Sequence, residues 1–255
     1  MTDASGFKDH FSGHASGYRA ARPGYPPALF AWLAERAPNR ARAWDVGCGN
    51  GQASTALAGH FSEVIATDAS AAQIAQAAPH PNVQYRAQPA EATTLAAQSV
   101  DLITVAQALH WFDLPRFYAE VRRVARPGAL MAVWTYALCA ITPVVDTIVA
   151  RLYEDVLGPY WPPERHHAEN GYASLPLPFT PEPVPAFEMT AEWTLPQFCA
   201  YLETWSALQR YKTAHGGANP LAGFTNELAA AWGSAEATRA VRWPLTVRAG
   251  HLPGG

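Results

Sequence analysis

Residues 44–54 read WDVGCGNGQAS: an apolar strand ends in Asp45, and three glycines at alternate positions, Gly47, Gly49 and Gly51, follow it before a helix begins. Glycine costs roughly 0.5–1 kcal/mol relative to alanine inside regular structure, so three of them together imply positive backbone angles or another group lying against a bare chain. An ordinary strand-to-helix turn needs one or two. A dinucleotide fingerprint G-x-G-x-x-G starting at Gly47 would require glycine where Gln52 stands, and a phosphate-cradling G-x-x-x-x-G-K-[ST] fails because no Lys-Ser or Lys-Thr follows. What remains is D-x-G-x-G-x-G.

Outward from this loop the apolar periodicity alternates. It predicts helices over 27–37, 52–59, 71–77 and 114–124, and strands over 43–46, 64–67, 83–86, 100–106 and 129–135. Strand and helix taking turns imply a parallel sheet covered on both faces, a Rossmann-like α/β fold whose ligands bind at the carboxyl ends of the strands. After Tyr136 the rhythm breaks. An apolar helix is expected to about residue 157, and then GPYWPPERHHAENGYASLPLPFTPEPVP (158–185) reads as an insertion or cap, because its prolines leave little room for a ladder and its length exceeds an ordinary connection. Beyond it the pattern predicts strands near 187–193 and 241–247 and helices over 196–213 and 221–232.

The 255 residues are 49% hydrophobic and 15% charged, with a net charge of −3. This supports a large core and gives no electrostatic footprint for nucleic acid or an anionic membrane, so a small-molecule partner is expected. Cys48, Cys139 and Cys199 are odd in number and widely spaced, which indicates neither a disulfide framework nor a zinc site and points to the cytoplasm. The polar, glycine-rich N-terminal stretch lacks a signal peptide's apolar region. Adjacent His166 and His167 lack the third ligand that a metal site needs, and no metal is expected.

The D-x-G-x-G-x-G arrangement resembles the first motif of class I S-adenosylmethionine-dependent methyltransferases, and further motifs are similar in order. SEVIATDAS (62–70) places Asp68 at the end of the next strand, AQPAEATTL (87–95) follows the third, SVDLITVAQALHWFD (99–113) covers the fourth, and EVRRVARPGALMAVW (120–134) covers the fifth. YRAARPGYP (18–26), ALHWFD (108–113), LETWSALQRY (202–211) and RWPLTVR (242–248) are similar to the trans-aconitate-methyltransferase-like small-molecule group. The resemblance implies a seven-stranded, mostly parallel sheet with one reversed edge strand and a cap insertion after strand five. It implies one domain, with residues 1–26 as an N-terminal lid, 27–136 as the cofactor-binding core, 137–183 as the cap and 184–248 completing the sheet and substrate pocket.

The implied cofactor is S-adenosyl-L-methionine, with S-adenosyl-L-homocysteine as product. Gly47, Cys48, Gly49 and Gly51 would touch its amino acid and ribose, and Asp45 would favour its ammonium group. Asp68, with Ala69, has the spacing to accept both ribose hydroxyls; the alternative is a helix cap, a task Ser70 can also do. Ala90 and Glu91 would border the adenine, although Pro89 stands where the family has an acid. Gln73 either covers the adenine or is solvated. Tyr18 and Arg22 would belong to the lid, Arg22 pairing with a carboxylate or remaining a surface residue.

Methyl transfer from a sulfonium is an in-line displacement in which the protein aligns the groups and excludes water. A carboxylate acceptor needs no base; a phenol, thiol or protonated amine benefits from one. His110 is the candidate catalytic group, as a base or as a structural histidine, with Gln107 and Trp111 beside it able to form an orienting platform. Trp161, Trp205 and Tyr211, with Tyr160 and Tyr172, fall where a substrate roof is expected, and Arg165 and Arg210 can add polar contacts. Two other readings use the same loop: methylation of a macromolecule, which the low basic content disfavours for RNA, and a non-catalytic cofactor-binding sensor or scaffold.

Overall fold

A computed structural model describes residues 23–253. In chain order these form α1 (Pro27–Arg36), β1 (Arg42–Val46), α2 (Gln52–Leu57), β2 (Glu63–Asp68), α3 (Ala71–Ile74), β3 (Val83–Ala87), β4 (Val100–Ala106), α4 (Leu114–Val124) and β5 (Ala125–Tyr136). Then come α5 (Pro143–Arg151), α6 (Arg165–Glu169), β6 (Phe187–Trp193), α7 (Leu195–Glu203), α8 (Ser206–Ala214), α9 (Thr225–Trp232) and β7 (Arg239–His251). The seven strands make one sheet in the order β3-β2-β1-β4-β5-β7-β6. β1 to β5 pair in parallel, and β7 runs antiparallel to both β5 and β6. The reversed strand is therefore one place in from the edge, not at it, because β6 lies outside β7.

Side chains alternate between the faces, as a pleated strand requires. From β1 and β4, Trp44, Val46, Ile103 and Val105 pack on one side with Phe117 and Val121 of α4. Ala43 and Leu102 pack on the other with Leu29, Phe30 and Leu33 of α1 and Leu57 of α2. At the amino end, buried Asp101 accepts from the Ala41 and Arg42 N–H groups and pairs with Arg126 at 2.7 Å, fixing the entry to β1.

A third core lies under the helices that follow β5, where Val149, Leu152, Phe198, Leu208, Trp232 and Trp243 meet. Here the elements depart from the sequence expectation. The helix expected from Tyr136 begins only at Pro143, because Ala140 first bridges to Arg242 and Thr142 caps the helix through Val145 N–H. It then continues through a π-helical turn, Leu152–Val156. The single helix expected over 196–213 is two: Gln209 donates to the Glu203 carbonyl at 2.6 Å, closing α7, and Trp205 turns into the core at the break. The Arg126-Pro127-Gly128 turn is absorbed into β5 at a register shift opposite Val100–Leu102, with Gly128 at φ 73°. The cap itself is not wholly irregular, since α6 and a 3-10 turn, Gly158–Tyr160, form within it.

Candidate active site

The loop between β1 and α2 has all three glycines at positive φ, 65° at Gly47, 54° at Gly49 and 85° at Gly51. Two of them are also bare because of the protein itself. A Cβ on Gly47 would lie 2.6 Å from the Ala108 methyl, and one on Gly51 would overlap the Tyr85 hydroxyl. Gly49 differs, since the first atom a Cβ there would meet is Gln73 Oε1 at 3.8 Å. The open face of the loop is at Gly49.

Asp68 fastens this loop. Its Oδ2 accepts from Gly49 N–H and its Oδ1 from Ser70 N–H, both at 2.8 Å. The cap of α3 is supplied by Ser70, whose hydroxyl accepts from Gln73 N–H, so the helix does not need Asp68 for that purpose. Ala69 beside it is exposed. Asp45 lies beneath the loop, 1% exposed, accepting from Ser54 Oγ at 2.6 Å and Thr104 Oγ1 at 2.9 Å. It has no surface for direct contact, so its influence on a ligand is that of a buried charge. Burial pushes its carboxyl up to about 6. The Cys48 thiol is pushed well above its usual range by burial and by Asp45 and Asp68.

Ala90 is buried in the core, and Glu91 accepts from Asp113 N–H at 2.9 Å, tying the loop after β3 to the start of α4. Gln107, just past β4, holds a left-handed backbone at φ 56°. Its N–H donates to the Trp134 carbonyl, its side-chain amide donates to the Tyr136 carbonyl at 3.1 Å, and its Oε1 accepts from Thr135 at 2.7 Å. Positive φ at a non-glycine residue costs on the order of 1–3 kcal/mol and persists where surroundings over-determine it.

His110 follows on the 3-10 turn Leu109–Trp111, its ring 4.6 Å from that of Trp111. Its Nδ1 lies 3.2 Å from the hydroxyl of Tyr172, a cap residue. Burial, then the charges of Arg165 and His167, pull its pKa down to about 3, so the imidazole is neutral at physiological pH. This argues against a resting proton acceptor poised near neutrality. The cap is seated here by further contacts: Thr135 Oγ1 also reaches the Ala168 carbonyl, and Arg248 of β7 donates to the Tyr172 carbonyl at 2.7 Å.

Arg165 lies 4.8 Å over the Trp161 ring and donates to the Tyr153 hydroxyl at 3.1 Å. Trp205, expected to contact substrate, is 4% exposed and packs edge-on against Tyr153, a core position. Tyr211 stacks on His215 and meets Tyr160 edge-on, in a separate cluster that no hydrogen bond among the described residues links to His110. Tyr18 and Arg22 lie outside the described residues. Sequence reasoning missed Tyr85 beneath Gly51 and Thr135 behind Gln107; both are long-range neighbours with no local motif to mark them. Among the described residues no group of three His, Cys, Asp or Glu side chains can hold a metal ion, and no helix is long and apolar enough to cross a membrane.

These residues fit an adenosyl cofactor bearing a positive charge. Gly49 leaves room at the carboxyl end of β1, Asp68 presents a carboxylate at the end of β2, and Asp45 adds a buried negative charge, where a pyrophosphate would be repelled. Residues 44–133 match a family described as a methyltransferase domain. A provisionally named methyltransferase of Dictyostelium discoideum is 35% identical over 204 residues, 78% of each chain. A Saccharomyces cerevisiae protein provisionally named as an S-adenosylmethionine-dependent methyltransferase is 30% identical over 128 residues, 47% of this chain and 44% of its own length. The structure of a provisionally named type II methyltransferase from Anaeromyxobacter dehalogenans superposes with a TM-score of 0.86 at 51% identity, covering 91% of this chain and 99% of that one. With that likeness spanning nearly the whole chain and the glycine loop in place, the protein belongs to the class I S-adenosylmethionine-dependent methyltransferases, an enzyme that uses S-adenosyl-L-methionine and releases S-adenosyl-L-homocysteine.

Proposed function

We propose that the protein methylates a small-molecule acceptor, of the kind taken by the trans-aconitate-methyltransferase-like group, between the 47–51 loop and the cap formed by residues 137–183. The cofactor, when bound, supplies an electrophilic methyl group on a sulfonium. Gly49 and Asp68 hold the nucleoside portion, with Gln73, Ala90 and Glu91 bordering the base. His110 and Trp111 face the acceptor, and the aromatic cap excludes water, which raises the weight of each polar contact inside.

The observation that carries this reading is Arg165. Its guanidinium rests on Trp161, its Nε is engaged by Tyr153, and Glu169 lies 3.6 Å from that Nε. Its terminal nitrogens make no hydrogen bond among the described residues, although its side chain is only 26% exposed. A guanidinium so placed offers a fork matched to a carboxylate. An acceptor carrying an acidic group would neutralise it; a long RNA or a protein segment would have to enter under the cap.

The test is a screen of pooled carboxylic acids, phenols and N-heterocycles with purified protein and labelled S-adenosylmethionine, read by mass spectrometry. Methylation of one anionic class, with KM raised at least tenfold by Arg165→Met, is the expected result. Cofactor binding without turnover of any pool would favour the sensor or scaffold reading.

A further inference from the structure

The helix α5 does not end as an α-helix. At Leu152–Val156 it widens into a π-helical turn, in which the Leu157 N–H reaches back to the Leu152 carbonyl at 3.0 Å. In an α-helix that N–H would bond the Tyr153 carbonyl. Here the Tyr153 carbonyl is released from the helix and accepts from Trp161 Nε1 at 3.2 Å. The rings of Tyr153 and Trp161 lie 4.7 Å apart, and the Arg165 guanidinium rests over Trp161. The buried Tyr153 hydroxyl makes two hydrogen bonds whose directions are fixed by their partners. The Glu169 carboxylate only accepts, so Tyr153 donates to it; Arg165 Nε only donates, so the Tyr153 oxygen accepts from it at 3.1 Å.

We propose that Tyr153, Trp161 and Glu169 are positioning residues that fix the plane and the edge of the Arg165 guanidinium, leaving its two terminal nitrogens to grip a planar carboxylate of the acceptor end-on. This rests on the function proposed above and deepens it. With Nε spent on Tyr153, the side-on fork of Nε and one terminal nitrogen is closed, and the end-on fork remains. Trp161 covers one face of the group. π-helical turns are rare and frequently mark functional sites. This one supplies both the hydroxyl that holds Nε and the carbonyl that holds the stacking ring. The fork also belongs to a segment fastened to the sheet. Arg165 and Glu169 stand on α6, the Ala168 carbonyl between them accepts from Thr135 of β5 at 3.2 Å, and Tyr172 just beyond meets His110 Nδ1. An acid held at Arg165 is therefore held by an element anchored to β5, and not by a free surface chain.

The test has two arms. In nitrogen-15-labelled protein the Arg165 Nε–H, identified by its loss in Arg165→Met, should exchange with water at least tenfold more slowly in the wild type than in Tyr153→Phe, which deletes only the hydroxyl. Equal rates overturn the proposal, whatever the acceptor. The second arm takes the acid that the pooled screen yields, and its primary amide, into calorimetry on the S-adenosylhomocysteine complex. Tyr153→Phe should weaken binding of the acid at least fivefold and leave the amide unchanged. Glu169→Gln, which still accepts from Tyr153 and removes a negative charge beside the guanidinium, should bind the acid as well as the wild type or better, whereas Glu169→Leu, which strips the hydroxyl of its acceptor, should bind it more weakly than Glu169→Gln. Acid binding that Tyr153→Phe leaves intact, or an equal loss for acid and amide, overturns the proposal. A screen that yields only uncharged acceptors overturns the carboxylate grip together with the function proposed above, while the exchange arm still reports on the tether, so the two failures are told apart.

Discussion

Replacing Asp45 by asparagine should make the protein more stable while weakening its hold on a cationic cofactor. The carboxyl is buried, and desolvation outweighs the hydrogen bonds from Ser54 and Thr104, raising its pKa from 3.8 to about 6. A rise of that size corresponds to about 3 kcal/mol of preference for the neutral acid in the folded state. The folded pKa exceeds the unfolded one, so the unfolded chain loses its proton first. Stability is undiminished below about pH 4, falls as the pH rises towards 6, and carries the full penalty above it. Asparagine keeps the shape, accepts from Thr104 and donates to Ser54, whose hydroxyl must reorient at a cost of about 1 kcal/mol. The net gain for Asp45→Asn is then about 2 kcal/mol at pH 7, or about 4–8 °C in Tm, and it disappears near pH 4. Urea unfolding followed by far-ultraviolet circular dichroism at both pH values measures the difference directly. In the same variant S-adenosylmethionine should lose more affinity than the uncharged thioether product, because only the former carries the sulfonium charge. A stability difference that is flat between pH 4 and pH 7, or a variant less stable at neutral pH, would refute the assignment of Asp45 as a buried charge kept at the fold's expense.

Other outcomes follow from the same geometry. Gly51→Ala and Gly47→Ala should destabilise the fold by at least about 2 kcal/mol, since each adds a Cβ at positive φ into a side chain, Tyr85 or Ala108, and thermal melts will show it. Asp68→Ala should weaken cofactor affinity by on the order of 1–3 kcal/mol, from lost hydroxyl acceptors and a loosened Gly49 N–H, as measured by calorimetry; unchanged affinity would confine Asp68 to loop structure. The His110 ring, with its pKa pulled down to about 3, should show no NMR titration between pH 5 and pH 8. Because the unfolded histidine protonates at an ordinary 6.5, this group costs stability as the pH falls from there towards 3, and His110→Gln should flatten that part of the acid limb.

Much of the fold was legible because its inner strands announce themselves. Val100–Ala106 is an apolar run interrupted only by Asp101 and Thr104, and Leu114–Val124 carries Pro115 in its first turn behind the capping Asp113, so both emerge with the expected bounds. The second half was harder to read. The break between α7 and α8 depends on Gln209 reaching back to the Glu203 carbonyl and on Trp205 finding Tyr153 across the cap, contacts no local pattern encodes. At the site, positive φ at the three glycines follows from their type, but the reason for two of them does not. Tyr85 and Ala108, distant in sequence, fill the space that Gly51 and Gly47 leave. Likewise the sequence shows His110 in a loop after a strand, while the hydroxyl that its Nδ1 meets, that of Tyr172, stands 62 residues away.

The central claim, that the cofactor lies against the backbone at Gly49, is tested most directly by titrating S-adenosylhomocysteine into wild type and Gly49→Ala in a calorimeter. A methyl group there meets no protein atom closer than 3.8 Å, so the variant carries only the strain of a left-handed backbone, about 1–2 kcal/mol, and should remain folded. The account predicts binding by the wild type and at least a tenfold loss, about 1.4 kcal/mol, in the folded variant. Equal affinity in the two proteins, or no binding by the wild type, would contradict it.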